Sequence, residues 1–182
     1  MKRVVITGGP CSGKTTIIEH LSKQGFQVVT ECAIEVIEEL NKDMGIEGQK
    51  KWRKENLVEL QRILVAKQIE KESKIKAGKA EVVFFDRGMY NGLAYLRLMK
   101  KPVETELLAI IKGYTYDMVF ALETLSNFQP RAETGRTSDR EKSIAIGRLL
   151  EEVYKENGIE VVFVKEMSVE ERVSFIKEHL GL

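Results

Sequence analysis

Gly8-Gly9-Pro10-Cys11-Ser12-Gly13-Lys14-Thr15 is the stretch that decides how this chain is read. It follows a short apolar run, Val4-Val5-Ile6. It precedes residues 15–24, where Ile17, Ile18 and Leu21 recur on one side before Gly25. Strand, glycine-rich loop and helix in that order are the context that gives G-x-x-x-x-G-K-[ST] its meaning. Glycines let the backbone wrap closely, so several N–H groups point inward at phosphate oxygens, and the helix adds its positive end. Lys14 then supplies an ammonium to the β- and γ-phosphates, and the Thr15 hydroxyl is placed to ligate Mg²⁺. The expected ligand is ATP, with GTP as the alternative. A guanine-specifying N/T-K-x-D motif is missing after the fourth predicted strand, which favours adenine.

Outward from the loop, strand and helix alternate to the end of the chain. Apolar or β-branched runs at 26–30, 82–85, 118–122 and 160–164 read as further strands, and helical patterns lie between them. A helix starts at residue 33 and breaks over the polar, glycine-bearing 41–48. A long helix then covers 49–77, with Leu57, Leu60 and Leu64 on one side, and its length suggests that it projects from the core. Two helices are expected at 90–100 and 103–112. Ser138-Asp139-Arg140-Glu141 and Ser168-Val169-Glu170-Glu171 fit capping boxes that open the last two helices. The pattern predicts an α/β fold, a parallel sheet with helices on both faces, as one domain over residues 1–182.

Composition narrows the function. The chain has 182 residues with 43% apolar and 31% charged residues, an ordinary globular balance that excludes disordered and fibrous classes. Lys and Arg number 29 against 28 acids, so the basic excess of a nucleic-acid or anionic-membrane binder is missing. Two cysteines, Cys11 and Cys32, make no disulfide framework, and no apolar run approaches a membrane span. The expectation is a soluble, cytoplasmic protein whose partners are a nucleotide and a small molecule. Cys11 lies within the phosphate loop, and it and Cys32 are either redox groups or spectators.

Asp86 ends the third strand, followed by Arg87-Gly88. A carboxylate there suits the Mg²⁺ side of a phosphate loop, or else caps the next helix. Arg87 stands where motor-type ATPases carry a glutamate that polarises water, which favours transfer to an organic acceptor over hydrolysis. Glu31 follows the second strand at the carboxyl edge of the sheet, where open α/β sheets bind ligands. It either accepts a proton from an acceptor hydroxyl or complements a helix dipole. Arg131, Arg136 and Arg140 fall in a polar stretch around 124–140 that reads as a lid. They either clamp charge on a transferring phosphoryl group or are solvated. Among the aromatics, Trp52, Tyr90, Tyr95 and Tyr114 are candidates for a pocket wall as well as for the core.

Taken together, these residues resemble the NadR/TRP-translocation-defect-type AAA domain family of P-loop proteins, close to nucleoside and nucleotide kinases. The resemblance is carried by residues 6–16, by Glu31 with Ala33 and Val36-Ile37, by Asp86-Arg87-Gly88 with Ala94-Tyr95, by 116–122, by Arg131-x-Glu133, and by 154–164 with Glu171-Arg172. It implies strand order 2-3-1-4-5, extends the nucleotide-binding set to Thr16, makes Glu31 a general base, and makes Arg87, which follows the acid Asp86, a residue that touches phosphate or acceptor. Related sequences often carry an arginine shortly after the glutamate. Ile34 and Glu35 stand there instead, which implies a different acceptor. Members include riboside kinase domains and regulatory nucleotide-binding proteins, so two functions stand: a small-molecule kinase, or a nucleotide-dependent switch acting through a protein partner.

Overall fold

A computed structural model describes residues 1–75, 80–128 and 139–182. Five strands form one parallel sheet: β1 (Lys2–Gly8), β2 (Gln27–Val29), β3 (Val82–Asp86), β4 (Met118–Leu122) and β5 (Val161–Val164), in the order β2-β3-β1-β4-β5. Among the described residues, seven helices cover it: α1 (Lys14–Lys23), α2 (Cys32–Glu55), α3 (Leu57–Ser73), α4 (Asn91–Leu98), α5 (Thr105–Lys112), α6 (Arg140–Glu156) and α7 (Val169–Leu180).

The central strands are continuously apolar because both faces are covered. Alternate residues serve opposite layers. Val4, Ile6, Phe84 and Phe120 pack with Ile17, Ile18 and Leu21 of α1 and with Val173 and Ile176 of α7. Val5, Val83, Phe85 and Val119 pack on the other face with Leu93 of α4 and with Ile146, Leu150 and Tyr154 of α6. The register sets the edge on which the loops meet. Ile6 pairs with Asp86 across β1 and β3, and Gly8 with Leu122 across β1 and β4, so the phosphate loop starts level with the ends of both neighbours.

Several sequence boundaries move. The expected break over 41–48 narrows to one residue: Gly45, with φ 72° and ψ 172°, leaves the helical region, and α2 is two helical segments that meet there in a kink. A second interruption is Asn56, with φ −114° and ψ 43°, where the side chain caps by donating to Trp52 O at 3.0 Å. The projecting helix over 49–77 is therefore two elements, and α3 is packed. Its inward face is Leu60, Gln61, Val65, Gln68 and Glu72, more polar than the leucine stripe suggested. Glu72 ion-pairs with Arg3 and accepts from Gln68 Nε2 at 2.8 Å and Tyr116 Oη at 3.0 Å. These bonds satisfy the carboxylate in the interior. The cap of α6 is Asp139, which accepts from the Lys142 N–H at 2.7 Å, one residue later than the capping box expected. The box at Ser168 and Glu171 forms as read. Among the described residues, no helix is long and apolar enough to cross a membrane.

Candidate active site

The phosphate loop leaves β1 and enters α1 at Gly13, which caps the helix in the left-handed region at φ 86°. Cys11 shares that conformation at φ 57°, an uncommon one for a side chain with a Cβ. The loop is held close to α6. A Cβ at Gly9 would fall 2.1 Å from Ser143 O, and Ser143 Oγ donates to Pro10 O at 2.5 Å, so only glycine fits at position 9. Lys14 is buried and donates from Nζ to Gly9 O at 2.7 Å, Gly8 O at 3.0 Å and Ser12 Oγ at 3.2 Å. Its ammonium thus sits inside the curve of Gly8, Gly9, Pro10, Cys11, Ser12 and Gly13, with Thr15 and Thr16 in the first turn of α1.

A second brace comes from far along the chain. Arg172 of α7 is 2% exposed and donates to three main-chain carbonyls: Ser12 O at 2.6 Å, Lys165 O at 3.0 Å and Glu123 O at 3.1 Å. One guanidinium therefore fastens the phosphate loop to the ends of β4 and β5. Burial holds its pKa below the ordinary arginine value, with Glu166 and Glu123 acting against that shift. The sequence reading gave Arg172 no role. Its signal was an arginine in the apolar stripe Val169, Val173, Ile176 and Leu180.

Asp86 ends β3, and its Oδ2 lies 3.5 Å from Thr15 Oγ1. The α4 cap is Tyr90, so Asp86 does not cap that helix. A buried carboxylate beside a hydroxyl offers the hard oxygens that Mg²⁺ takes, and the donor set fits that ion. Arg87 follows with φ 72°, a left-handed backbone for a branched-free but long side chain, fixed by its N–H donating to Ile6 O at 3.1 Å. Such a conformation costs on the order of 1–3 kcal/mol and persists where surroundings enforce it. Here they do. Arg87 Nε lies 2.7 Å from Glu31 Oε1, and Nη1 donates to Tyr95 Oη at 3.1 Å. Burial by itself lowers the Arg87 pKa, but Glu31, Tyr95 and Asp86 outweigh it and raise the value, keeping the guanidinium charged.

Glu31 is the cap residue of α2, but its side chain makes no capping bond. Its carboxylate, 3% exposed, pairs with Arg87 instead. Glu31, Asp86 and Arg87 share a cavity of about 520 Å³ that also touches Pro10 of the phosphate loop. It lies between the carboxyl end of β3 and the α2–α3 pair, with α4 completing the wall. Leu57, Leu60, Leu64 and Met99 make the wall apolar. Gln61, 4% exposed, lines it with a polar amide. Cys32 also lines it, donating from Sγ to Gln68 Oε1 at 3.0 Å. Burial is the main cause that pushes this thiol up to about 11, so it stays protonated and inert at neutral pH.

Of the candidate aromatics, Tyr95 reaches the cavity, whereas Tyr90 packs in the core against Tyr116 and Tyr154. Glu35 turns away to Lys71 at 2.5 Å, tying α2 to α3. Arg140 is exposed at the start of α6. Arg131, Arg136 and most of the expected lid lie outside the described residues.

A phosphate loop between the first strand and helix of a 2-3-1-4-5 parallel sheet defines a P-loop α/β protein. A family model described as an AAA domain matches residues 3–172, and the chain belongs to that family. No curated protein sequence matches it. Among solved structures, a deoxyadenosine kinase from M. mycoides with bound dATP superposes at TM-score 0.66 and 18% identity, over 99% of this chain and 100% of that one. A NadR protein in complex with NAD and AMP-PNP superposes at TM-score 0.66 and 16% identity, over all of this chain and 50% of the other. Thymidylate kinase from Ehrlichia chaffeensis gives TM-score 0.64 and 15% identity, over 98% of both chains. At these identities the likeness is one of fold.

Proposed function

We propose that the chain is a small-molecule kinase that moves the γ-phosphoryl group of ATP, or of GTP, to a hydroxyl of an acceptor bound in the cavity beside Glu31. The observation that carries this reading is the buried Glu31–Arg87 pair, which opens on one side to the cavity and on the other to the phosphate loop. In this reading Lys14, the loop amides and the N-terminus of α1, with Thr16 in its first turn, hold the triphosphate. Thr15 and Asp86 would hold Mg²⁺, which when bound neutralises charge on the β- and γ-phosphates.

The acceptor oxygen forms a bond to the γ-phosphorus as the bond from that phosphorus to the β–γ bridging oxygen breaks. The hydroxyl proton passes to the Glu31 carboxylate, and ADP leaves. Arg87, pinned by Glu31 and Tyr95, keeps a fixed positive charge beside the oxygens that gain charge, a preorganised form of electrostatic stabilisation. Arg131 and Arg136 keep the role the sequence suggests, as further cations for the transferring group.

ADP release measured with and without a panel of nucleosides and hydroxylated vitamins tests the proposal. Turnover that rises with an acceptor supports it. Slow release indifferent to every acceptor overturns it in favour of a nucleotide-dependent switch.

A further inference from the structure

Glu31 and Tyr95 hold the side chain of Arg87, yet its left-handed backbone needs restraint of its own. On the N-terminal side, the Arg87 N–H donates to Ile6 O at 3.1 Å. On the other side the next amide, Gly88 N–H, donates to Asn91 Oδ1 at 3.0 Å. The two bonds bracket Arg87, and the second is made by a side chain that takes no part in the proposed transfer.

Asn91 is the first residue of α4 and is 5% exposed. Asparagine at a helix start ordinarily caps it, accepting from an N–H two or three residues further on. Here the cap residue is Tyr90, and the Asn91 oxygen accepts from an amide three residues back. Oδ1 also accepts from Tyr154 Oη at 2.6 Å, and Nδ2 donates to Thr7 Oγ1 at 2.9 Å. Thr7 precedes Gly8 in β1, so one amide ties the turn after β3 to the strand that opens into the phosphate loop. Both lone pairs of the oxygen are taken, so Asn91 lines the cavity with no acceptor atom left for an incoming molecule. The packing behind it is close. A Cβ at Gly88 would fall 2.7 Å from Tyr154 Oη. Burial pushes the Tyr154 phenol well above its ordinary pKa, which keeps it a donor. Tyr116 braces the next residue: its Oη accepts from the Met89 N–H at 2.9 Å and donates to Glu72.

Resting on the kinase reading, we infer that Asn91 is a positioning residue, whose amide fixes where the Arg87 guanidinium stands relative to the phosphate loop. It acts through Arg87 and touches neither substrate. Without it the Gly88 N–H loses its acceptor, and the turn is free to leave the left-handed conformation and carry the guanidinium away from the transferring group. A misplacement of about 1 Å is enough to cost about 10²-fold in rate.

The free protein supplies the first readout. Solvent exchange of the Arg87 Nε–H, which lies against Glu31, is followed by NMR beside that of the Arg172 Nε–H, which donates to Lys165 O. In Asn91→Leu, close in size but without hydrogen bonds, exchange at Arg87 should quicken about tenfold or more while Arg172 stays within about twofold. Turnover is the second readout. In the same variant, below its melting transition, kcat for acceptor-dependent ADP release should fall about 10–10²-fold, with acceptor KM and ATP affinity within about twofold. Tyr154→Phe removes one of the two donors to Oδ1 at little steric cost. It should give about threefold in each readout, and it carries the test if Asn91→Leu does not fold. Unchanged exchange at Arg87, equal quickening at both arginines, or a kcat equal to wild type overturns the inference. Release by the wild type that is indifferent to every acceptor defeats the kinase reading instead, and the exchange rates then decide by themselves whether Asn91 holds Arg87.

Discussion

The two halves of the site are built from different materials. On the phosphate side, eight consecutive residues form the loop, and three acceptors of the Lys14 ammonium, Gly8 O, Gly9 O and Ser12 Oγ, lie within six positions of it. On the acceptor side, the pair that matters joins the start of α2 to the residue after β3, and the wall comes from three helices. The first half is a local backbone device that many acceptors could share. The second is assembled from remote segments, so in the proposed kinase it is where the choice of acceptor would be made.

The largest effect should come from breaking the acceptor half at its acid. Glu31→Gln keeps the shape and removes the basic carboxylate, so acceptor-dependent turnover should fall about 10²–10⁴-fold. ATP affinity, measured by titration calorimetry, should barely move. Equal turnover in mutant and wild type would reassign Glu31 to holding Arg87. Breaking the phosphate half at Lys14→Ala should lower kcat by about 10²–10³-fold, the scale for losing one preorganised charge-stabilising donor. Here, unlike at Glu31, ATP affinity should fall as well, and a variant that binds ATP normally would contradict the contrast between the halves.

Arg172→Met sharpens the comparison, because it touches the phosphate half from outside the motif. Three carbonyls lose their donor at about 1 kcal/mol each, so urea denaturation should show a loss on the order of 3 kcal/mol. ATP affinity should weaken at a temperature where the variant is still folded. Lost stability with unchanged affinity would make Arg172 a packing residue. The smallest effect belongs to Asp139→Ala, which removes the cap of the helix carrying Ser143. A loss of about 1 kcal/mol is expected in the same denaturation experiment, with catalysis intact.

The contrast between the halves also explains what could be read beforehand. The loop was legible because its eight residues are contiguous, and the sheet because continuous apolar runs such as Val82-Val83-Phe84-Phe85 mark strands buried on both faces. Glu31 and Arg87 were each suspected from position, but their contact was not, since no spacing rule connects residues joined by a strand crossover. The α2–α3 region was misread for a physical reason. The interruption expected over 41–48 is confined to Gly45, whose neighbours stay helical, and the second interruption, at Asn56, carries no glycine or proline to announce it. The inward face of α3 is set by Gln61, Gln68 and Glu72 at helical spacing, a polar stripe that apolar periodicity passes over. Arg172 was overlooked for a similar reason: a buried cation satisfied by carbonyls leaves no pattern of neighbouring charges.

The bond from Arg172 to Ser12 joins residues 160 positions apart. During synthesis the phosphate loop emerges early and its brace late. At about 5–20 residues per second, the interval between them is roughly 8–32 s. For that time the ribosome displays a nascent chain with the nucleotide motif already complete as sequence but not yet clamped by α7. Acquisition of a firm grip on nucleotide is thus a late event in the life of each molecule, timed by translation as well as by the chemistry of the loop.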